Sequence, residues 1–208
     1  LKTNGAGFSV LDKEDVLAKM KQLKNHFPDD WELPNVYLLH GSLSDIEMNY
    51  LYNHPKIKAM VSLTHGEGFG RPLLEATMTG LPVIASAWSG QLDFLDTEKS
   101  ILINGKLVDI PESQVWDDIL IKEAQWFEVD EGQVYKTLNH TFQNSNEIKD
   151  KATSLMYKNR DKFTLNKMAE SLHKIIDKYV RDTPTQVSIK LPKLKKVKPK
   201  TKLEGELT

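Results

Sequence analysis

The sequence predicts an α/β domain built on a doubly wound parallel sheet. Short apolar runs of strand length alternate with segments of helical periodicity, and glycine or proline marks most of the boundaries between them. Strands and helices that alternate at this spacing are joined by right-handed crossovers, so the strands lie parallel. Such sheets bind ligands at the carboxyl ends of their strands, and a site is therefore expected in the loops that follow them.

The first elements along the chain are a helix and a strand. Apolar residues at helical spacing predict a helix over 12–25, and an apolar run over 36–39 predicts a strand that Gly41 ends. Ser44 and Glu47 have the spacing of a capping box, which predicts that a second helix begins there.

A strand, a short helix and another strand follow. The apolar runs over 59–63 and 82–86 are typical of buried strands. Pro72 suits the first turn of a helix and Gly80 suits the position just past its end, which predicts a helix over 72–79.

Beyond the apolar run 101–103 the periodicity is helical. Three helices are predicted from the stripes 134–142, 148–156 and 165–179. Asp130 and Gln133 are spaced as an acid-type capping box for the first of them, and Thr164 is the expected N-cap of the last. All three apolar stripes are expected to lie in the core.

Composition excludes several classes of protein. The 208 residues include no cysteine, which excludes disulfides, cysteine zinc sites and thiol nucleophiles. The sequence shows no apolar run of membrane-spanning length and no signal peptide, so a cytoplasmic location is predicted. Since Leu1-Lys2-Thr3 has the character of a strand end, the chain is expected to be a fragment of a longer protein.

Charge is unevenly distributed and suggests two regions, a domain over 1–182 and an extension over 183–208. The extension carries seven lysines against Glu204 and Glu206, so the rest of the chain is acidic, which argues against nucleic acid as a partner. The basic extension is either solvated or loosely docked, or it makes a peripheral contact with an anionic membrane surface.

The candidate site is the run His-Gly-Glu-Gly-Phe-Gly-Arg-Pro-Leu-Leu-Glu-Ala at 65–76. Its glycines let backbone amides point into one concavity, and the amino end of the following helix favours an anion such as a diphosphate. Glu67 and Glu75 are eight positions apart, and a carboxylate can accept hydrogen bonds from two vicinal hydroxyls of a sugar or ribose.

These residues resemble the C-terminal domain of GT-B-fold retaining glycosyltransferases, the group that includes glycogen synthase, sucrose synthase and bacterial mannosyltransferases. The E-x7-E motif of that group matches Glu67 to Glu75, and its flanking patterns E-G-F-G-x-P-x-x-E-A and G-x-P-V-I-A-S match as well. The resemblance covers about residues 1 to 180. It implies transfer of a hexose, with retention, from a UDP- or GDP-sugar to an acceptor hydroxyl, with neither a metal nor a cofactor.

The resemblance also assigns site residues. It implies that Glu67 is the catalytic residue, orienting the donor sugar, that Glu75 holds the ribose, and that Gly41 and Leu43 lie by the base. The residues that it places at the donor sugar and phosphates are His65, Gly66, Gly68, Phe69, Gly70 and Arg71. The arginine and lysine that neutralise the diphosphate in the family, and the domain that binds the acceptor glycan, lipid or protein, lie upstream of anything in this sequence.

Other interpretations of the same residues remain open. A sugar-nucleotide epimerase of the same fold, or a non-catalytic nucleotide-sugar or glycan-binding module, would share this crevice. A dinucleotide-binding site fits the residues poorly, because Arg71 occupies the place of the third glycine of the dinucleotide fingerprint. His65 either has a catalytic role or, as we favour, lines the pocket or caps the strand. Ser89-Gly90 with Asp93 forms either a second loop beside the donor or a plain turn. Trp88 is expected to border the site; the other three tryptophans are expected to pack.

Overall fold

The computed structural model describes residues 1–3, 10–116 and 119–180. The chain divides into two compact units, residues 1–164 and residues 165–208. The basic extension 183–208 lies outside the described residues, so its proposed membrane contact and the domain boundary at 182 stay predictions.

The first unit contains seven strands and five α-helices within its described residues. The strands are β1 Lys2–Thr3, β2 Leu39–His40, β3 Met60–Ser62, β4 Val83–Ser86, β5 Ile101–Ile103, β6 Gly105–Asp109 and β7 Gln125–Val129. The helices are α1 Val10–Lys24, α2 Asp45–Tyr52, α3 Arg71–Met78, α4 Glu131–Gln143 and α5 Ser145–Lys162. The described part of the second unit contains α6, Leu165–Tyr179.

The predicted α/β fold with parallel strands is confirmed. β3, β4 and β5 form a parallel sheet in which all four residues of β4 are buried, and α3 joins β3 to β4 as a crossover. β1 and β2 are also parallel but form a separate sheet. The parallel strands of the described chain are therefore divided between two sheets. A largely apolar cavity of about 830 Å³ is lined by residues of both β1 and β3.

The predicted helix signals around the candidate site are confirmed. The Ser44 hydroxyl accepts from the Glu47 amide at 3.3 Å while the Glu47 carboxylate accepts from the Ser44 amide at 2.8 Å, which completes the capping box of α2. Pro72 lies in the first turn of α3, and Gly80 follows its C-cap with φ +72°. These signals are local, which is why sequence alone sets the limits of α3 to within a residue.

The prediction that helices follow residue 103 directly was wrong. β6 and β7 form an antiparallel pair, with register from Gly105 opposite Val129 to Asp109 opposite Gln125. α4 begins only after this hairpin: Asp130 caps it by accepting from the Gln133 amide at 2.8 Å. The Gln133 side chain accepts instead from the amide of Asn104, the residue before β6, at 2.7 Å. The Asp130 amide donates to the Asn104 carbonyl, so only one of the two bonds of the predicted capping box is formed.

The core of the first unit includes α3, β4 and α5. Ile148, Ala152 and Leu155 of α5 are buried, as the helical stripe predicts. The core expectation was wrong for Phe142 of α4, which is 85% exposed, and for the stripe of α6. The exposed apolar residues of α6 are Leu165, Met168, Leu172, Ile175, Ile176 and Tyr179.

Candidate functional site

The loop between β3 and α3 ends at a glycine whose conformation other residues rarely adopt. Gly70 is the N-cap of α3, with φ +82° and ψ +44°, and it is buried. A Cβ at this position would lie 3.3 Å from both Gln91 Cβ and Leu73 Cδ1, so both conformation and space favour glycine. Within the described residues, the amides of Gly68, Phe69 and Gly70 donate to no protein group, which leaves three donors beside the amino end of α3.

A second loop, after β4, holds the main chain of Glu67. Ser89 donates its hydroxyl hydrogen to the Glu67 carbonyl at 2.7 Å and accepts from the Glu67 amide at 3.2 Å, and the Gly90 amide donates to the same carbonyl at 3.0 Å. The two loops are thus adjacent, and whether the loop of Ser89 and Gly90 also borders a donor stays a prediction. The main-chain carbonyl of Asp93 accepts from Lys162 Nζ at 3.4 Å. Glu67 is partly exposed, and its main chain is held by these bonds from Ser89 and Gly90.

Close approach of the two loops requires a glycine at position 90. A Cβ built on Gly90 would overlap the carbonyl group of Gly68. Ser89 itself has φ 76° and ψ −162°, a conformation almost confined to glycine, whose cost in other residues is about 1–3 kcal/mol. A strained backbone persists only where the surrounding structure holds it in place. At Ser89 the strained residue is the one whose hydroxyl bonds the main chain of Glu67.

Glu75 and Leu43 line one groove between α2 and α3. The groove has a volume of about 860 Å³ and also contains Arg71 and Asp45. Arg71 Nε lies 2.7 Å from Glu75 Oε1, and that hydrogen bond, together with the charge of Glu75, raises the pKa of Arg71. The bond uses one of the five N–H donors of Arg71, and it places a positive charge against the Glu75 carboxylate within the groove.

The floor of this groove contains an unpartnered hydroxyl. Tyr52 is 8% exposed, and within the described chain its hydroxyl has no hydrogen-bond partner. Burial, followed by the nearby charge of Glu75, raises the pKa of Tyr52 to about 12. The phenol is thus neutral and offers a donor beneath the groove.

The hairpin β6–β7 forms a wall beside His65, which sequence reasoning missed. His65 Nδ1 lies 2.8 Å from the Phe127 carbonyl oxygen, and the Phe127 amide donates to the His65 carbonyl at 3.2 Å. The His65 ring stacks on Trp126, with centroids 3.9 Å apart, and Trp88 stacks on Phe127. The signal available in the sequence was the aromatic pair at 126–127, whose partner lies some 60 residues away.

The structure separates the predicted residues into two groups. His65, Gly66 and Glu67 lie against the hairpin and the Ser89 loop, whereas Arg71, Glu75 and Leu43 line the groove. Gly41 is not among the groove residues; its carbonyl accepts from Lys2 Nζ at 2.7 Å. Phe69 turns its ring towards Phe94 and Phe163, with ring centroids 5.3 and 6.2 Å away.

Within the described residues, no three His, Asp or Glu side chains cluster in a way that suits a metal ion. None of the helices in that part of the chain is both long and apolar enough to cross a membrane. The expected independence from metal and the cytoplasmic location stay predictions.

The fold and the loop geometry define an α/β domain in which the loops after β3 and β4 lie side by side, similar in fold to GT-B glycosyltransferases. The sequence profile described as "Glycosyl transferases group 1" matches residues 19–122. The chain therefore belongs to this family of glycosyltransferases.

Among curated relatives, probable sucrose-phosphate synthase 1 of rice, Oryza sativa, is 31% identical over 113 residues, 54% of this chain. A probable sucrose-phosphate synthase of potato, Solanum tuberosum, is 28% identical over the same length. The chain spans about 9% of the length of each of these relatives.

Among solved structures, HepE of Anabaena in complex with UDP and glucose superposes with a TM-score of 0.56 at 12% identity, over 81% of this chain and 38% of HepE. HepE in complex with UDP-glucose also gives a TM-score of 0.56, at 13% identity over 84% of this chain and 39% of HepE. The likeness concerns the fold.

Proposed function

We propose that this chain supplies the donor-binding half of a retaining glycosyltransferase, which transfers a hexose from a nucleoside diphosphate sugar to an acceptor hydroxyl. The observation that carries the proposal is the placement of Glu67 on a glycine loop whose main chain is fixed by Ser89 and Gly90. Family membership and the Glu67–Glu75 spacing support it. The acceptor would bind to a part of the protein outside these residues.

The proposed donor lies across the two groups of site residues. Its diphosphate meets the unpaired amides of Gly68, Phe69 and Gly70 at the amino end of α3, where the helix dipole adds to their field. Its ribose lies by Glu75 and its base by Leu43, since both line one groove. Its sugar then lies by Glu67, whose carboxylate accepts hydrogens from two hydroxyls.

Glu67 acts in this proposal by orientation, not by attack on the sugar. The negative charge that develops on the leaving diphosphate is stabilised by donors that are already in place, which is the arrangement that lowers a barrier most effectively. The leaving diphosphate can take the acceptor proton, so the reaction needs no protein base in this half of the site. UDP and GDP donors both remain compatible with the groove.

The test is turnover by the whole protein. Glu67→Gln keeps the size of the side chain but removes a charged acceptor, and we expect transfer to fall by about 100-fold or more. Glu123→Gln, at an exposed carboxylate in the hairpin loop, is the matched control and should leave turnover unchanged. Near-normal transfer by Glu67→Gln would refute the role of Glu67. Release of an altered sugar nucleotide in the absence of any acceptor would show an epimerase instead.

A further inference from the structure

The β6–β7 hairpin holds one histidine in three ways. One hydrogen bond joins the main chains of His65 and Phe127, and a second joins the His65 ring to the Phe127 carbonyl. The imidazole also stacks on Trp126, with ring centroids 3.9 Å apart and an angle of 6° between the rings. The main-chain bond fixes the backbone of His65, and a side chain held by one hydrogen bond and a stacked ring has little freedom to turn. The hairpin thus fixes both the position and the orientation of the His65 ring.

This orientation determines which nitrogen of His65 can meet a ligand. A carbonyl oxygen only accepts, so the Nδ1 that faces Phe127 carries the hydrogen. In the neutral ring Nε2 is then an acceptor, and it has no partner within the described part of the chain. His65 is exposed, so Nε2 is open to solvent and to a ligand.

The neighbours of His65 belong to the candidate site. A Cβ on Gly66 would lie 3.6 Å from the Ser89 hydroxyl oxygen and 3.9 Å from Trp88 Cδ1, so the Ser89 loop covers the other side of this segment. Trp88 is 40% exposed and stacks on Phe127 at 5.7 Å. The hairpin therefore contacts His65 directly and is linked to the neighbouring Gly66 through Trp88.

We infer that the β6–β7 hairpin is a sugar-recognition element, which presents His65 Nε2 as a hydrogen-bond acceptor to a hydroxyl of the bound pyranose, with Trp126 as the positioning residue. A hydroxyl has a hydrogen to donate to Nε2, whereas an ionised diphosphate has none. With a neutral imidazole, this orientation places His65 at the sugar and not at the phosphates. This inference rests on the proposed function, because it places the sugar of the same donor.

The test compares ligands with and without the sugar. Calorimetry on the whole protein gives the affinities for UDP, UDP-glucose, GDP and GDP-mannose, and the nucleotide pair that binds more tightly is used thereafter. His65→Asn keeps an amide hydrogen for the Phe127 carbonyl and removes the acceptor at Nε2. We expect affinity for the nucleotide sugar to fall about tenfold and affinity for the bare nucleotide to stay unchanged.

Trp126 tests the positioning role separately. Trp126→Ala should lower nucleotide-sugar affinity as His65→Asn does, and Trp126→Phe, which keeps a ring to stack on, should restore most of it. Trp116→Ala is the matched control, since Trp116 lies in the loop of the same hairpin and is 65% exposed. Thermal unfolding of each variant separates loss of recognition from loss of fold.

The outcomes distinguish the two proposals. If the wild-type protein binds none of the four ligands, the proposed function fails and this inference fails with it. If the wild type binds a nucleotide sugar, the inference is overturned when His65→Asn binds it equally well, or when both the sugar-bearing and the bare nucleotide lose affinity equally. Equal loss would indicate that the hairpin only supports the loop.

Discussion

The hydroxyl of Ser89 bonds the main chain of Glu67 twice, donating to the carbonyl oxygen at 2.7 Å and accepting from the amide nitrogen at 3.2 Å. Both bonds act on the backbone, so the Glu67 carboxylate stays free for a ligand. Ser89 makes them from a φ of 76°. A strained residue that fixes a candidate catalytic residue suggests that stability is given up here for positioning.

Replacement of Ser89 should separate these two effects. Ser89→Ala removes both bonds but keeps the Cβ, whereas Ser89→Gly removes the bonds and also relieves the strain. We expect kcat/KM to fall by about 10- to 100-fold in both variants because Glu67 is less well placed. Urea unfolding should show Ser89→Gly to be more stable than Ser89→Ala by about 1 kcal/mol or more.

Each half of this prediction has its own contradiction. Full transferase activity in Ser89→Ala would mean that the Ser89 hydroxyl does not position Glu67. Equal free energies of unfolding for the alanine and glycine variants would mean that the backbone at position 89 is not strained.

Two glycines of the adjacent loops should respond differently to alanine. At Gly90 a Cβ would overlap the Gly68 carbonyl group, and the loops must separate to admit it; we expect a loss of about 1–3 kcal/mol in the free energy of unfolding. At Gly68 a Cβ meets nothing within 4 Å, so stability should change by less than about 0.5 kcal/mol.

Nucleotide-sugar binding should show that Gly68 nevertheless has a role. Its alanine variant places a methyl group where the loop amides face the proposed diphosphate, and calorimetry should find weaker binding by a folded protein. Tight binding by Gly68→Ala would place the diphosphate away from this loop, whereas normal stability of Gly90→Ala would show that the loops are not packed as described.

Local signals explain how much of the fold was predictable. Pro72 and Gly80 mark α3, and the apolar runs before and after it become β3 and β4, because caps and buried runs are written in a few neighbouring residues. The β6–β7 hairpin was missed because its strands pair across a loop of 15 residues, 110–124, and neither strand has a tight turn to announce it.

The same reasoning applies to the candidate site. The loop glycines and Glu67 could be identified because they lie within one short motif. The bonds from Ser89 to Glu67 and from Phe127 to His65 join residues 22 and 62 positions apart, and no local pattern encodes such pairs. The prediction that every apolar stripe is core failed at α6, since amphipathicity identifies an apolar face without identifying what covers it.

Glu75 should contribute to nucleotide affinity. Glu75→Gln removes the charged acceptor that lies in the groove with Leu43 and also breaks the ion pair with Arg71. We expect affinity for the bare nucleotide to fall by about 5- to 20-fold, because a hydrogen bond to a charged group contributes about 1.5–3 kcal/mol and some of it is recovered by water. Glu147→Gln removes a comparable ion pair on α5, with Lys151, and should bind nucleotide normally. Equal affinity of Glu75→Gln and wild type would place the ribose elsewhere.

Acid should weaken the fold through Asp96. The hydrogen bond from Lys158, followed by that from the Glu98 amide, lowers the pKa of Asp96 to about 2 from an ordinary value of 3.8. Because the folded pKa lies below the unfolded one, this carboxylate stabilises the fold above about pH 4, and its contribution is lost as the pH falls from about 4 to about 2. Urea unfolding across that range should show a smaller decline for Asp96→Asn than for wild type. Glu112→Gln, which breaks an exposed ion pair with Lys122, should follow the wild-type profile. An unchanged decline in Asp96→Asn would mean that the contact between Asp96 and Lys158, which ties α5 to the segment after β4, does not stabilise the fold.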